Sequence, residues 1–365
     1  MKKEKFFFDD IFEDWTKLGK KILKSKYLVD GKYPVIDQGK NKIAGFINEE
    51  KKLFLEIPVI IFGDHTRILK FIDFPFFLGA DGVKILKNKR KNFLDKYLYY
   101  ALKYFKIPDT GYNRHFKWLK DFFVIDLEIE KQEKVIGVLD EIQKILKSKK
   151  EQLSEFEKLS KCLFFEMFGD PILNEKKWNI FNFSQVCEIN PSKSELENID
   201  NNTEVSFIPM SSVSTKGEVL TKEIKRFEEV KIGFTYFKEK DVLFAKITPC
   251  MENGKGGIAK NLKNGIGFGS TEFHVLRPKD KVSNSYWVYY ISMLPFFRKN
   301  AEKIMTGSGG QKRVPISYFK NVIIGLPPIE LQNKFAERIK LIEKSKFILS
   351  EILKLQSECI FLKQI

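Results

Sequence analysis

WLKDFFVIDLEIEKQEKVIGVLDEI (118–142) lies over YFKNVIIGLPPIELQNKFAERIKLI (318–342) when the chain is shifted by 200 residues. Lys120 then meets Lys320, Glu130 meets Glu330, Gln132 meets Gln332 and Ile142 meets Ile342. Upstream, Thr110-Gly111 matches Thr306-Gly307 at a shift of 196. YLYY (97–100) matches WVYY (287–290), and LGADGVKIL (78–86) matches FGSTEFHVL (268–276), both at a shift of 190. The shift changes in small steps, as loop insertions produce, and the matches keep their order. The chain reads as a diverged tandem duplication of a unit of roughly 160 to 200 residues.

Each copy ends in its most regular segment. In the first, Leu139, Ile142, Leu146, Lys149, Leu153, Phe156, Ser160 and Leu163 follow alternating steps of three and four. In the second, Ile339, Ile342, Lys346, Leu349, Leu353, Gln356 and Ile360 do the same. Such spacing predicts long helices with a mostly apolar seam of the coiled-coil type, and the remaining faces are rich in Lys and Glu. Glu130 and Glu330 stand near the helix starts, where negative charge suits the helix dipole. LPP (326–328) stops a strand and leads into the second helix. Two such helices at equivalent places in a duplicated chain are expected to pack on each other.

Between the helices the pattern is mixed α/β. KYPVID (32–37), IPVIIFG (57–63) and DVLFAKI (241–247) are short apolar or alternating runs and predict strands. DKYLYYALKYF (95–105) and SYWVYYISMLPFF (285–297) predict short helices whose aromatic residues, at helical spacing, belong to the core.

A chain of 365 residues exceeds one ordinary domain. Its 43% hydrophobic and 31% charged content is globular, and no apolar run approaches the roughly 20 residues that span a bilayer. The opening MKKEKFFFDD turns acidic too early for a signal peptide. Cys162, Cys187, Cys250 and Cys359 are scattered, without the spacing of a zinc site, as expected of a reduced cytoplasmic protein. The formal charge of +16 favours polyanions, yet 56 of the 64 cations are lysines, which AT-rich codon usage also produces. Charge alone leaves nucleic acid and mere composition equally open.

No catalytic set emerges. His65, His115 and His274 have no His or Cys at ligand spacing. TGSGGQKRVP (306–315) contains SGGQ, which resembles the signature loop of nucleotide-binding cassette ATPases, but the GxxxxGK[ST] phosphate loop is missing. GKGG (254–257) has no following Ser or Thr for magnesium, NPSK (190–193) departs from the amino-methyltransferase motif after its first Pro, and IEKQEK (129–134) lies at a helix start rather than after a nuclease strand. TGSGGQKRVP also has a counterpart, TGYNRHFK (110–117), that lacks SGGQ but keeps Thr-Gly and the cations. The shared part reads as a flexible, positively charged turn, suited to DNA rather than ATP.

Two α/β copies, each ending in a long helix, resemble the specificity subunit of type I restriction-modification enzymes over essentially the whole chain. YPVIDQGKNKIAGF (33–46), GDHTRILKFIDFPFFLGADGVKIL (63–86) and RHFKWLK (114–120) look like the first target recognition domain of that family. LPPIELQNKFAERI (326–339) resembles the Leu-Pro-Pro, Glu-Gln entrance to its conserved helix. IDLEIEKQ (125–132) lacks the prolines, Leu331 stands where the family usually has Glu, and the chain is somewhat short.

The resemblance implies an α/β (α+β) fold of two globular recognition domains, related as a pseudo-two-fold tandem repeat. Two long antiparallel coiled-coil helices separate them. The expected boundaries are 1–127 and 170–327 for the recognition domains, with 128–169 and 328–365 for the helices. It also implies a non-catalytic reader of a bipartite, interrupted site in double-stranded DNA. The helices would set the spacing and dock two modification (methyltransferase) subunits; restriction (motor-nuclease) subunits would complete the assembly. S-adenosylmethionine, ATP and Mg would belong to those partners, with no cofactor or metal in this chain and no membrane contact. Within this frame Arg67, Arg114 and Arg313 can take guanine edges, Gln38, Asn113 and Gln311 adenine edges, and Lys40, Lys117 and Lys312 phosphates. A stand-alone DNA methyltransferase or restriction enzyme, and a basic scaffold without sequence-specific binding, are the rival readings.

Overall fold

The computed structural model describes residues 4–49, 51–79, 82–111, 113–308 and 310–362, with side chains described as far as residue 353. The chain divides into two compact units. Unit 1 takes the residues up to Lys150 and the chain end from Leu355; unit 2 is Glu151–Lys354.

Unit 1 runs β1 (Lys5–Phe7), α1 (Phe8–Ile11), β2 (Phe12–Asp14), β3 (Tyr33–Ile36), β4 (Gly45–Ile47), β5 (Val59–Gly63), β6 (Leu69–Ile72), β7 (Phe77–Leu78), β8 (Val83–Asn88), α2 (Asp95–Tyr104) and β9 (Phe123–Ile125), then enters the long helix α3 (Ile129–Phe168). A four-stranded sheet has the order β2-β8-β5-β6 and a three-stranded sheet the order β4-β3-β7, with β3 and β7 parallel; β1 pairs with β9. The apolar run of β5 is explained by its place. Ile60 and Phe62 face the core under α2, whereas Val59 and Ile61 face the core between the two sheets, so both faces of the strand are covered. All five residues of β5 are buried, and each large side chain there contributes on the order of 1.5–3 kcal/mol.

Unit 2 repeats this plan after the end of α3. It runs β10 (Asn179–Asn182), α4 (Phe183–Val186), β11 (Cys187–Ile189), β12 (Glu204–Ile208), β13 (Glu223–Arg226), α5 (Phe227–Val230), β14 (Thr235–Lys238), β15 (Val242–Ala245), β16 (Gly256–Ile258), β17 (Ile266–Gly269), β18 (Phe273–Pro278), α6 (Ser285–Met293), α7 (Pro295–Lys303), α8 (Ile316–Asn321), β19 (Ile323–Leu326) and the long helix α9 (Ile329–Leu362). The sheets have the orders β11-β18-β15-β16 and β13-β12-β17-β14, and β10 pairs with β19. With β14 set aside as an insertion, each strand finds its counterpart in unit 1, including one parallel pair, β12 with β17. Val242 and Phe244 of β15 enter one core and Leu243 the other, as in β5. The duplication seen in the sequence is thus a duplication of sheet topology.

Two sequence expectations change. SYWVYYISMLPFF is not one helix: Leu294 adopts an extended ψ of 136° because Pro295, at the first position of α7, cannot continue α6. The stem of TGSGGQKRVP is not a loose turn. Thr306 and Arg313 exchange backbone hydrogen bonds of 3.0 and 2.8 Å, and the neighbouring Val314 and Thr248 amides donate to Lys246 and Lys312 carbonyls at 2.9 and 3.0 Å. Gly309 at its tip, and Tyr112 in the counterpart loop, lie outside the described residues.

The seam positions form the covered stripe of each long helix. Leu139 is buried and Ile142, Leu146, Leu153 and Phe156 are half-buried; Ile339 and Leu349 are buried and Ile342 and Leu353 half-buried. The side chains of Gln356 and Ile360 lie outside the described residues. In unit 1 the first part of α3 is held to α2: Asp140 accepts from Lys96 at 2.7 Å and from Tyr100 at 2.5 Å. Within unit 2 the last turns of α3 pack on α9, with the Phe335 ring 5.6 and 5.1 Å from those of Phe164 and Phe168.

Candidate nucleic-acid interface

The strands place two loops at the same point of each unit. Gly63 stands opposite Val83, and Ala245 stands opposite Phe273, so Asp64 and Lys246, each one residue beyond its central strand, are equivalent. The Asp64 carbonyl accepts from the His115 amide at 2.8 Å, and the Lys246 carbonyl accepts from the Val314 amide at 2.9 Å. The residue before each of these anchors is an arginine, Arg114 in one copy and Arg313 in the other.

A buried histidine supports each loop. In unit 2, buried His274 donates from Nε2 to the Val314 carbonyl at 2.8 Å and accepts at Nδ1 from Asn190 at 3.1 Å. Burial pushes its pKa down to about 4, because the water lost by the charged form outweighs the attraction of nearby Glu272. In unit 1, buried His115 donates from Nδ1 to the Asp64 carbonyl at 3.0 Å, and Nε2 lies 3.3 Å from the Thr110 hydroxyl. The Asp64 carboxylate accepts from the Phe116 amide at 2.8 Å. These two histidines are structural parts of the loops.

The arginines differ in what holds them. Arg313 grips Glu272 with two donors, Nε at 2.9 Å and Nη2 at 2.8 Å, while Nη1 donates to the Gln311 carbonyl at 3.1 Å. The Arg313 guanidinium holds the Glu272 carboxyl below the usual carboxylate range. Half-buried Lys246 flanks the pair, its pKa lowered by burial. In unit 1, Arg114 is exposed and makes no ion pair among the described residues. Arg67, in the left-handed region at φ 60°, reaches Asp109 through Nη2 alone at 2.7 Å.

The candidate base readers fare unevenly. Gln38 is half-buried; its Oε1 accepts from the His65 amide at 3.2 Å, and its side chain sits against Gly63 and Gly82. A bidentate adenine contact needs both ends of the amide, and one end of Gln38 is already engaged by its own loop. Asn113 likewise turns its amide back onto the Thr110 carbonyl of its own loop. Gln311, Lys312 and Lys40 are exposed, and Lys117 is exposed with its ammonium 5.2 Å from the Trp118 ring. Glu272 and Lys246, and the supporting role of His274, escaped sequence reading. Glu272 lay in plain view in FGSTEFHVL, but nothing local tells which loop it faces.

Unit 2 carries one more polar cluster. Arg277, inside the sheet, donates Nε and Nη2 to the two oxygens of fully buried Asp241 at 2.9 and 2.8 Å, and Nη1 to Glu195. Beside the helices of this unit, an open cleft of about 360 Å³ is lined by Phe164, Tyr289, Tyr290 and Leu294, with Lys161 and Glu343 among its charged residues.

Two copies of one α/β unit, each presenting an arginine-bearing loop beyond the end of the same central strand, define a class of duplicated two-domain proteins. Comparison with known proteins places it more closely. Residues 175–356 match the type I restriction modification DNA specificity domain. The chain is 43% identical over 162 residues to the type I restriction enzyme EcoAI specificity subunit of Escherichia coli, covering 44% of this chain and 27% of that protein. It is 43% identical over 152 residues to the EcoEI specificity subunit of the same organism, covering 41% and 25%. The aligned stretch thus spans about a quarter of those relatives. The type I restriction-modification S subunit of M. genitalium shares the fold, with a TM-score of 0.54 at 15% identity over 98% of this chain and 93% of that one. The chain belongs to the type I restriction-modification specificity family.

Proposed function

We propose that this chain reads DNA sequence without performing chemistry on it, as the specificity subunit of a type I restriction-modification complex. Each unit contacts one half of a bipartite, interrupted duplex site. The observation that carries this reading is the equivalence of Arg114 and Arg313, each one residue before the backbone anchor of its loop. Paired readers on a duplicated scaffold address paired half-sites, and arginine is the commonest donor to guanine O6 and N7 in the major groove. Exposed Lys40, Lys117 and Lys312 supply phosphate contacts that position without specifying.

The two long helices act as an antiparallel spacer and as the dock for two methyltransferase subunits, with motor-nuclease subunits joining that complex. An apolar stripe on α9 supports docking: Leu341, Ile348 and Ile352 are exposed at helical spacing beside exposed Phe347. Methyl-donor, ATP and metal chemistry resides in the partners. The test is methylome sequencing of cells that express the chain with its modification subunit. Methylation confined to one interrupted sequence is expected; a continuous site, or none, refutes the reading.

A further inference from the structure

A guanidinium has two edges that can form paired hydrogen bonds, the side edge (Nε and one Nη) and the end edge (both Nη). Glu272 occupies the side edge of Arg313 at 2.9 and 2.8 Å, so the end edge points away from the carboxylate. The pair is half open to solvent, with side-chain exposures of 41% for Arg313 and 24% for Glu272. Both partners stand on firm backbone. Arg313 is bridged to Thr306, and the Glu272 carbonyl accepts from the Lys246 amide at 2.9 Å while its own amide donates to the Ser270 hydroxyl at 3.2 Å. A long, flexible side chain is thereby reduced to one orientation before any ligand arrives, which lowers the entropy lost on binding.

Unit 1 differs at the equivalent position. By the strand register the position of Glu272 is taken by Gly82. Its φ of 84° is left-handed, and a Cβ there would lie 2.7 Å from Gln38 Nε2 and 2.8 Å from the His65 ring. A side chain there would be strained and would displace Gln38 or His65, and Arg114 stands without a carboxylate among the described residues.

We propose that Glu272 is a specificity-determining positioning residue: it buttresses Arg313 so that the outward end edge of the guanidinium takes one guanine, Nη1 exchanging its Gln311 carbonyl contact for the base, in a half-site read more sharply at that position than unit 1 can read through Arg114. The proposal rests on the DNA-reading function above. Physically, a bidentate arginine–guanine contact discriminates by roughly ten- to a hundredfold, and it does so only when the fork is aimed. An arginine released from its carboxylate gains freedom to pair with any phosphate, which raises affinity without sequence preference.

The test is selection by the full-length chain, in the complex in which it purifies, from duplexes carrying its preferred site with each base pair randomised in turn. Glu272→Gln is expected to lower the preference for one G·C pair about tenfold. All other positions should stay unchanged, and binding to unrelated duplex should be equal or tighter. In an Arg313→Ala background the same substitution is expected to have no further effect. Unchanged preference in Glu272→Gln, uniform loss at all positions, or a further loss without Arg313 overturns the role of Glu272. A wild-type protein that selects no sequence overturns the DNA-reading function itself, and with it this proposal. Equal melting temperatures of wild type and Glu272→Gln separate the effect from unfolding.

Discussion

Gln132 and Gln332, 200 positions apart and each completely buried, make the same set of hydrogen bonds. Gln132 accepts from the Leu94 amide at 2.8 Å and donates to the Asn92 and Leu127 carbonyls at 2.7 and 2.6 Å. Gln332 accepts from the Asn284 amide at 3.1 Å and donates to the Val282 and Pro327 carbonyls at 3.0 and 2.9 Å. Each clips the first turn of a long helix to the loop that starts the aromatic helix of its own unit.

Replacing either glutamine by alanine leaves one amide and two carbonyls without their partner in a dry site. Gln132→Ala and Gln332→Ala are each expected to destabilise by about 2–3 kcal/mol. Hydrogen exchange should localise the loss to unit 1 for the first and unit 2 for the second. Equal loss of protection in both units would show that the clips do not act locally.

His274 makes unit 2 sensitive to mild acid. Its folded pKa of about 4 lies below the ordinary 6.5, so between these values the unfolded chain binds a proton that the folded chain refuses. Stability therefore falls as pH drops through that window, by about 1.4 kcal/mol for each pH unit. Denaturant melts from pH 7 to 4.5 should show this slope in the wild type and a shallower one in His274→Gln, which keeps a donor for Val314 but does not titrate.

Asp241 compensates a cation inside the sheet. Asp241→Ala strands Arg277 with only the partly exposed Glu195 and is expected to cost about 3–5 kcal/mol. The double replacement Asp241→Leu with Arg277→Met should recover much of that, because the buried charge goes with its partner. A melting curve for the double variant no better than for Asp241→Ala would contradict this account.

If the chain reads DNA, the two arginines divide the work. Arg313→Ala should weaken discrimination in one half-site by about 1–3 kcal/mol, and Arg114→Ala should act on the other half only. Lys312→Ala should lower affinity for every sequence alike and reduce the salt dependence by about one phosphate contact. Relaxation of both halves by Arg313→Ala alone would sever the link between loop and unit.

Much of the fold was legible because its signals are local. The a/d steps from Leu139 to Leu163 and from Ile339 to Leu353 need only a few turns to declare a helix, and the apolar run of IPVIIFG declares a strand. The duplication was legible because homologous positions keep their order. The break at Pro295 was hidden by the aromatic spacing around it, which argued for one continuous helix. The site was legible as a pair of matched cationic loops, but its working parts were not. Gln38 and Asn113 have the chemistry of base readers, yet the tertiary structure turns their amides inward, onto His65 and Thr110.

By itself, the sequence determined that the chain holds two copies of an α/β unit and two long helices, because periodicity, apolar runs and repeats are properties of neighbouring residues. Only the tertiary structure decided that Glu272, 41 residues upstream, grips the side edge of Arg313, whereas Gly82 takes the equivalent position in unit 1 and Arg114 makes no ion pair among the described residues. Sheet register brings these residues together, and no local pattern encodes which loop a carboxylate will meet.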